Sequence, residues 1–282
     1  MATHPHSDDV VGVARDYYNS SDADHFYATI WGGEDIHIGL YQDEQDSIAR
    51  ASRRTVEHMA HLLGEIDASM HVLDMGSGYG GTARYLTEQF DCTVTCLNLS
   101  EVQNERNRRL NQTQGFSDKI DVMTGNFEAV DAEAASFDVI WSQDAFLHSG
   151  RRDTIIAEIA RLLKPGGKAI FTDPMQSDDC PAGVLDPVLA RIHLSSMGSP
   201  EFYQESAQRH GLSATGWEDH TQQLPTHYSR VHDEILRRYD ELHAVCSTEY
   251  IERMKVGLQH WIQAGEQGHL RWGIISLEKP VA

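Results

Sequence analysis

The 282-residue sequence predicts an α/β fold: a mostly parallel sheet covered by helices on both faces, with helical additions at its margins. Three observations carry that expectation. Short apolar, β-branched runs alternate with helical stretches through the middle of the chain. A glycine-rich turn follows the first of these runs, and no stretch of about 18 apolar residues marks a membrane span.

Taken in order, residues 1–66 read as helices and loops that precede the sheet. The first strand is "MHVLDMG", Met70 to Gly76, and Gly76, Gly78 and Gly80 then allow a tight turn before a helix that begins near Thr82. The second strand is "CTVTCLNL", Cys92 to Leu99, after which Ser100 and Gln103 make a capping box for "SEVQNERNRRL". "KIDVMTG" (Lys119 to Gly125) and "FDVIWS" (Phe137 to Ser142) are the third and fourth strands. "RRDTIIAEIARLL" has helical spacing and stops at Pro165-Gly166-Gly167, where "GKAIFTD" (Gly167 to Asp173) begins the fifth strand.

Past Asp173 the rhythm changes. A Pro/Asp-rich irregular segment runs to Gly198, and Ser199-Pro200 then caps a helix over about Glu201 to His210. A strand near Leu212 to His220, a long helical insertion and a last strand "LRWGIISLEK", Leu270 to Lys279, complete the chain. Three parts result: an N-terminal lid segment (1–66), a core around the glycine turn (67–175), and lid insertions with the last core strands (176–282). Open α/β sheets bind ligands beyond the carboxyl ends of their strands, which makes the added pieces candidate lids.

Composition narrows the partners. The formal charge of −20, with lysine only at Lys119, Lys164, Lys168, Lys255 and Lys279, repels nucleic acid and anionic membranes. Such a surface suits concentrated salt, where screening removes self-repulsion, and equally an ordinary acidic enzyme. The start "MATHPHSDDV" has neither a basic nor an apolar segment, so a cytoplasmic protein is expected. Cys92, Cys96, Cys180 and Cys246 form no C-x-x-C pair, which suits reduced thiols, and no metal site is expected. Either a monomer or a homodimer fits.

Chemistry gathers at strand ends. The turn "VLDMGSGYGG" lets a ligand approach the backbone closely. Asn98, closing strand two, can bond ribose hydroxyls; Asn126 of "GNF", closing strand three, can pair with an adenine edge while Phe127 packs on its face. Together they describe an S-adenosylmethionine site. In "SFDVIWSQDAFLHSG" a buried strand suddenly carries Gln143, Asp144 and His148, groups costly to bury without partners. His148 is suited to relay a proton, and Asp144 to attract and orient a cationic amine.

The run Asp74 to Gly80, "LNLSEVQ" (Leu97 to Gln103), "FDVIWSQDAFLH" and "LLKPGGKAIFTD" resemble the Rossmann-like class I methyltransferases. With "FYATIWGGEDIHIGLY" (Phe26 to Tyr41) and "LRWGIISLEKP", they look like the sarcosine/dimethylglycine N-methyltransferases in particular, with phosphoethanolamine methyltransferases as close relatives. The resemblance implies a seven-stranded, mostly parallel sheet with a final antiparallel strand and helical lid insertions. It also implies S-adenosylmethionine held by Asp74, Gly76, Gly78, Gly80, Asn98, Leu99, Gln103, Asn126, Phe127 and Gln143. Many class I members carry an acidic residue where Asn98 stands; asparagine still donates and accepts.

By residue match, Tyr27 is the tyrosine that latches onto His148, and Asp144 completes the catalytic group. Trp31, His37 and Tyr41 are candidates to help close the lid, with core packing the alternative for Trp31 and Tyr41; Trp31 is also a candidate substrate contact, and Trp217, His227 and Tyr228 are lesser candidates. Arg191, Arg230 and Arg271 are each eligible for a substrate carboxylate. "TDPM", read as the turn after strand five, places Pro174 and Met175 against the substrate; its apolar character suits an amine that already carries methyl groups. The expected reaction is N-methylation of sarcosine and N,N-dimethylglycine to glycine betaine. Alternatives are a phosphoethanolamine-type or other small-molecule methyltransferase, an NAD-dependent oxidoreductase, though no Tyr-x-x-x-Lys pair is present, and a non-catalytic S-adenosylmethionine-binding protein.

Overall fold

The computed structural model describes residues 12, 15, 16, 18–191, 194 and 196–281. Seven strands form one sheet in the order β3-β2-β1-β4-β5-β7-β6. They are β1 (His71–Met75), β2 (Thr93–Asn98), β3 (Ile120–Thr124), β4 (Phe137–Gln143), β5 (Leu163–Gln176), β6 (Ser213–Asp219) and β7 (Leu270–Glu278). β1 to β5 pair in parallel, and β7 lies antiparallel between β5 and β6, as the family resemblance implies. The order reverses between β1 and β4, the switch point at which such sheets open a ligand crevice.

Helices α1 (Ser21–Ile30), α2 (Ile48–Leu63), α3 (Gly81–Phe90), α4 (Glu101–Gln114), α5 (Arg152–Leu162), α6 (Asp186–Arg191), α7 (Pro200–Arg209), α8 (Gln223–Arg237), α9 (Tyr239–His243) and α10 (Thr248–Glu266) cover it. Their starts obey local chemistry: Ser47, Ser100, Ser199 and Ser247 each accept a backbone N–H in the first turn of the helix they cap. The Ser100 box is half made. Ser100 accepts from Gln103 N, whereas the Gln103 side chain accepts from Asn98 Nδ2 at 2.9 Å.

Strand alternation sends neighbouring side chains to opposite faces. Leu73, Ile140 and Phe171 join Ile155 and Ile159 of α5 in one core, while Val72, Trp141 and Ile170 join Met59 of α2 and Leu86 of α3 in the other. Above the carboxyl edge, Phe26 and Ile30 of α1 pack with Val231, Ile235, Ile251 and Met254 from α8 and α10. The N-terminal and late insertions therefore form one apolar cap.

Two sequence expectations need correcting. The segment from Asp173 to Gly198 is not wholly irregular, because α6 forms within it. More consequentially, "TDPM" is no turn: β5 continues through it, with Pro174 paired to Trp272 and Met175 to Arg271 of β7. Both residues are buried, and Pro174 lies beyond Thr172, the last β5 residue paired to β4, where the strand has a single partner as an edge strand does.

Candidate active site

At the carboxyl ends of β1, β2, β3 and β4 a cleft is lined by Tyr18, Ile36, Gly76, Gly78, Asn98, Leu99, Ser100, Gln103, Asn126, Phe127, Glu128, Gln143, Asp144, Ala145 and His148. It encloses about 730 Å³, its solvent-open mouth included, within the range of small-molecule sites. A smaller polar recess adjoins it, lined in part by Asp35, His37, Asp74, Ser77 and Gln143. Most residues expected at the cofactor thus meet in one place, although they come from four strand ends.

The glycine turn needs its glycines. Gly76, Gly78 and Gly80 have φ of +83°, +51° and +76°, and a Cβ on Gly76 would strike that of Ala145 while one on Gly80 would strike the Asn107 side chain. Gly80 is set back from the cleft as the N-cap of α3. Buried Arg84 braces the turn, donating to Glu34, Asn107, Asn111 and the Tyr79 carbonyl.

The recess is built for a charged ligand. Asp35 Oδ1, His37 Nε2, Asp74 Oδ2, Ser77 Oγ and Gln143 Nε2 are buried there without a protein partner, a costly state unless a polar group fills the space. Burial, then Asp35 nearby, raises Asp74 to about 7. Burial raises Asp35 to about 6 against the opposing pull of Arg53, 2.9 Å away. Gln143 Oε1 is already used by Thr82 and Trp141, at 2.8 and 2.9 Å. Asn126 Oδ1 caps its own turn by accepting from Glu128 N at 2.9 Å, leaving its amide nitrogen for a ligand, and Phe127 packs on Phe146. The apolar ring, the amides and the orphaned charged recess fit the adenine, ribose and amino-acid ends of S-adenosylmethionine.

Asp144 and His148 follow β4, but they are held differently. Asp144 adopts φ +51°, uncommon for a non-glycine residue and typical of functional turns. Its carboxylate accepts from Ile38 N at 2.7 Å, Thr172 Oγ1 at 2.8 Å and Trp272 Nε1 at 2.8 Å. Burial raises its pKa, and His37 and these donors oppose the rise. Beneath it Asp173, fully buried, accepts from Leu147 N and pairs with Tyr203 Oη at 2.6 Å; burial raises it to about 8.

His148 Nε2 lies 2.9 Å from the Tyr18 hydroxyl. Tyr18 precedes α1, and Ser100 at the N-cap of α4 secures the segment by donating to Asn19 Oδ1 at 2.8 Å. Tyr27, the tyrosine expected there, packs its ring against Tyr18 with centroids 5.9 Å apart and planes tilted by 33°, and against Trp31 at 4.9 Å. Tyr18 lies outside every quoted motif, so only its place at the entry to a predicted helical lid hinted at it.

Other expected residues scatter. Trp31 is in the apolar cap, its Nε1 donating to the His37 carbonyl at 3.2 Å. Pro174 and Met175 lie in the sheet and stand apart from the cleft lining. Trp217, within β6, packs against the core. His227 Nδ1 accepts from Gly39 N at 3.3 Å and faces Tyr41 Oη at 3.0 Å, while burial lowers its pKa to about 3. Tyr228 packs on Trp261. Arg271 donates to the Gly268 and Leu270 carbonyls, Arg230 lines an outer groove with Asp46, and the Arg191 side chain lies outside the described residues.

Comparison with known proteins matches this geometry. Residues 73–171 match the family described as a methyltransferase domain. The chain is 53% identical over 279 residues to the sarcosine/dimethylglycine N-methyltransferase of Halorhodospira halochloris, covering 99% of this chain and 100% of that one. It is 52% identical to the enzyme of the same name from Aphanothece halophytica, over 97% and 99% of the two chains. Among solved structures, a putative sarcosine dimethylglycine methyltransferase from Galdieria sulphuraria superposes with TM-score 0.90 at 42% identity, over 94% of this chain and all of that one. With a site of this construction and likeness along its whole length, the chain belongs to the sarcosine/dimethylglycine N-methyltransferase family.

Proposed function

We infer that the protein transfers methyl groups from S-adenosylmethionine to the nitrogen of sarcosine and N,N-dimethylglycine, giving glycine betaine. The observation that carries this reading is the 53% identity over essentially the whole chain to an enzyme named for those two substrates. When bound, S-adenosylmethionine supplies an electrophilic methyl group. The turn from Gly76 to Gly80, Asn98, Leu99, Gln103, Asn126, Phe127 and Gln143 would hold it, with Asp74 and Asp35 beside its cationic amino group.

The acceptor reaches the site protonated, because alkylamines have pKa values of about 10. It must shed one proton before its lone pair can attack. His148 and Tyr18 are suited to that transfer: a neutral imidazole accepts from the hydroxyl at 2.9 Å and an imidazolium donates to it, so the pair holds a proton in either direction. Asp144, fixed by three donors at the cleft wall, favours a cationic amine close to His148. Tyr27 and Trp31 stiffen the cap behind Tyr18, and in this reading Pro174 and Met175 act from within the sheet on the shape of the site.

The acidic surface supports a small amino-acid substrate with no nucleic-acid partner, and we place the protein in the cytoplasm as a monomer or homodimer. Among the described residues no helix is long and apolar enough to cross a membrane. Labelled S-adenosylmethionine offered with glycine, sarcosine, dimethylglycine or phosphoethanolamine tests the substrate. Sarcosine and dimethylglycine should be methylated fastest; a preference for phosphoethanolamine or glycine would refute the reading.

A further inference from the structure

Away from the cleft, three side chains from distant parts of the chain aim ligand atoms at one point. His58 on α2 places Nε2 2.7 Å from Glu218 Oε2 on β6, and His220, one residue beyond that strand, places Nε2 3.1 Å from the same oxygen. All three ligand atoms lie within 4.8 Å of one another. We propose that His58, Glu218 and His220 form a binding site for one divalent transition metal of the zinc class, which clips α2 to the outer edge of the sheet.

The donor set selects the metal. Two imidazoles and one carboxylate suit zinc and its neighbours, whereas magnesium and calcium call for oxygen alone. A tetrahedral ion with ligands at about 2.0–2.2 Å holds them roughly 3.3–3.5 Å apart. The observed 2.7 and 3.1 Å therefore need to open by about 0.6–0.8 and 0.2–0.4 Å. The side chains have that freedom, being 28–39% exposed, and the same exposure leaves a fourth position to water. Glu218 and His220 share a face because His220 carries the β6–β7 pairing one residue past the strand, its N–H donating to the Trp272 carbonyl, and residues two apart along such a strand point the same way. The chain's −20 charge concentrates cations at its surface.

The clip would act on the frame of the active site without entering it. One turn before His58, Thr55 Oγ1 donates to the Ile38 carbonyl at 2.9 Å and accepts from Leu40 N at 3.1 Å, which seats a strap of residues 38–40 whose Ile38 N donates to Asp144. On the other side His220 N donates to the Trp272 carbonyl at 2.9 Å, and Trp272 Nε1 donates to Asp144. A metal bridging His58 and His220 closes this loop from α2 through the strap, Asp144 and β7.

The test uses the full chain, stripped with a chelator and then titrated with Zn²⁺ by calorimetry and with Co²⁺ by visible absorption. One saturable equivalent is expected, with the intense d–d bands of tetrahedral Co²⁺ and a melting temperature raised by several degrees at saturation. His58→Gln and His220→Gln should each weaken Zn²⁺ binding by about 100-fold or more, since loss of a ligand costs at least what loss of an outer-shell partner does. Octahedral-type Co²⁺ spectra from the unmodified protein would overturn the proposal without recourse to variants. Zn²⁺ binding of unchanged strength in both glutamine variants would overturn it equally.

Discussion

At the residue scale the hydroxyl that meets His148 belongs to Tyr18, which makes kinetic roles separable. Tyr18→Phe and His148→Ala should each lower kcat by about 10² or more, as loss of a proton-transfer group does. Tyr27→Phe should have a much smaller effect, because Tyr27 packs behind Tyr18 against Trp31. S-adenosylmethionine affinity, followed by calorimetry, should change little in His148→Ala; equal losses of kcat in all three variants would contradict this division of labour. Asp173 supplies a second residue-level prediction. Its folded-state value of about 8 lies above the ordinary 3.8, so its contribution is full below the lower value and is lost as pH rises through the higher one. Asp173→Asn keeps a neutral group there. The stability of the unmodified protein relative to this variant should therefore fall by about 1.4 kcal/mol per pH unit within that window. A difference that stays flat with pH in paired urea titrations would show that Asp173 is ionised throughout.

At the element scale, the proposed cofactor site depends on the β1–α3 turn and the cap. Gly76→Val places a branched side chain at φ +83° and against Ala145, a conformation that costs an ordinary residue about 1–2 kcal/mol before the clash is counted. The variant should fold with a lowered melting temperature and lose S-adenosylmethionine binding beyond detection by calorimetry; normal binding would remove the turn from the cofactor site. The cap is secured to the same turn, since Tyr79 Oη donates to Asp24 Oδ1 of α1 at 2.9 Å and Arg106 pairs with Asp24 at 2.6 Å. Strands and helix starts were legible because alternation, glycine turns and serine caps are local properties. Continuation of β5 through Pro174 was not, because the antiparallel partner that sustains it is β7, almost a hundred residues further along.

At the scale of the whole molecule, the −20 charge predicts a response to salt. Raising NaCl from about 0.1 to 1 M shortens the screening length from about 10 to 3 Å, so the melting temperature should rise and turnover should persist. Stability that falls steadily with salt would mark an ordinary acidic enzyme. By itself the sequence determined the α/β class, the seven strands, the glycine turn and many of the residues that line the cleft, though not Tyr18, Ile36 or Glu128. The turn and the residues so identified close or follow strands whose periodicity is written within some ten residues. Tertiary structure alone decided that Tyr18 meets His148 across 130 positions, that Trp272 and Ile38 fix the Asp144 carboxylate, and that His58 faces Glu218. Those pairings arise where cap, strap and sheet edge pack together. No local propensity of the chain encodes a contact whose partners are brought together only by burial of a shared apolar surface.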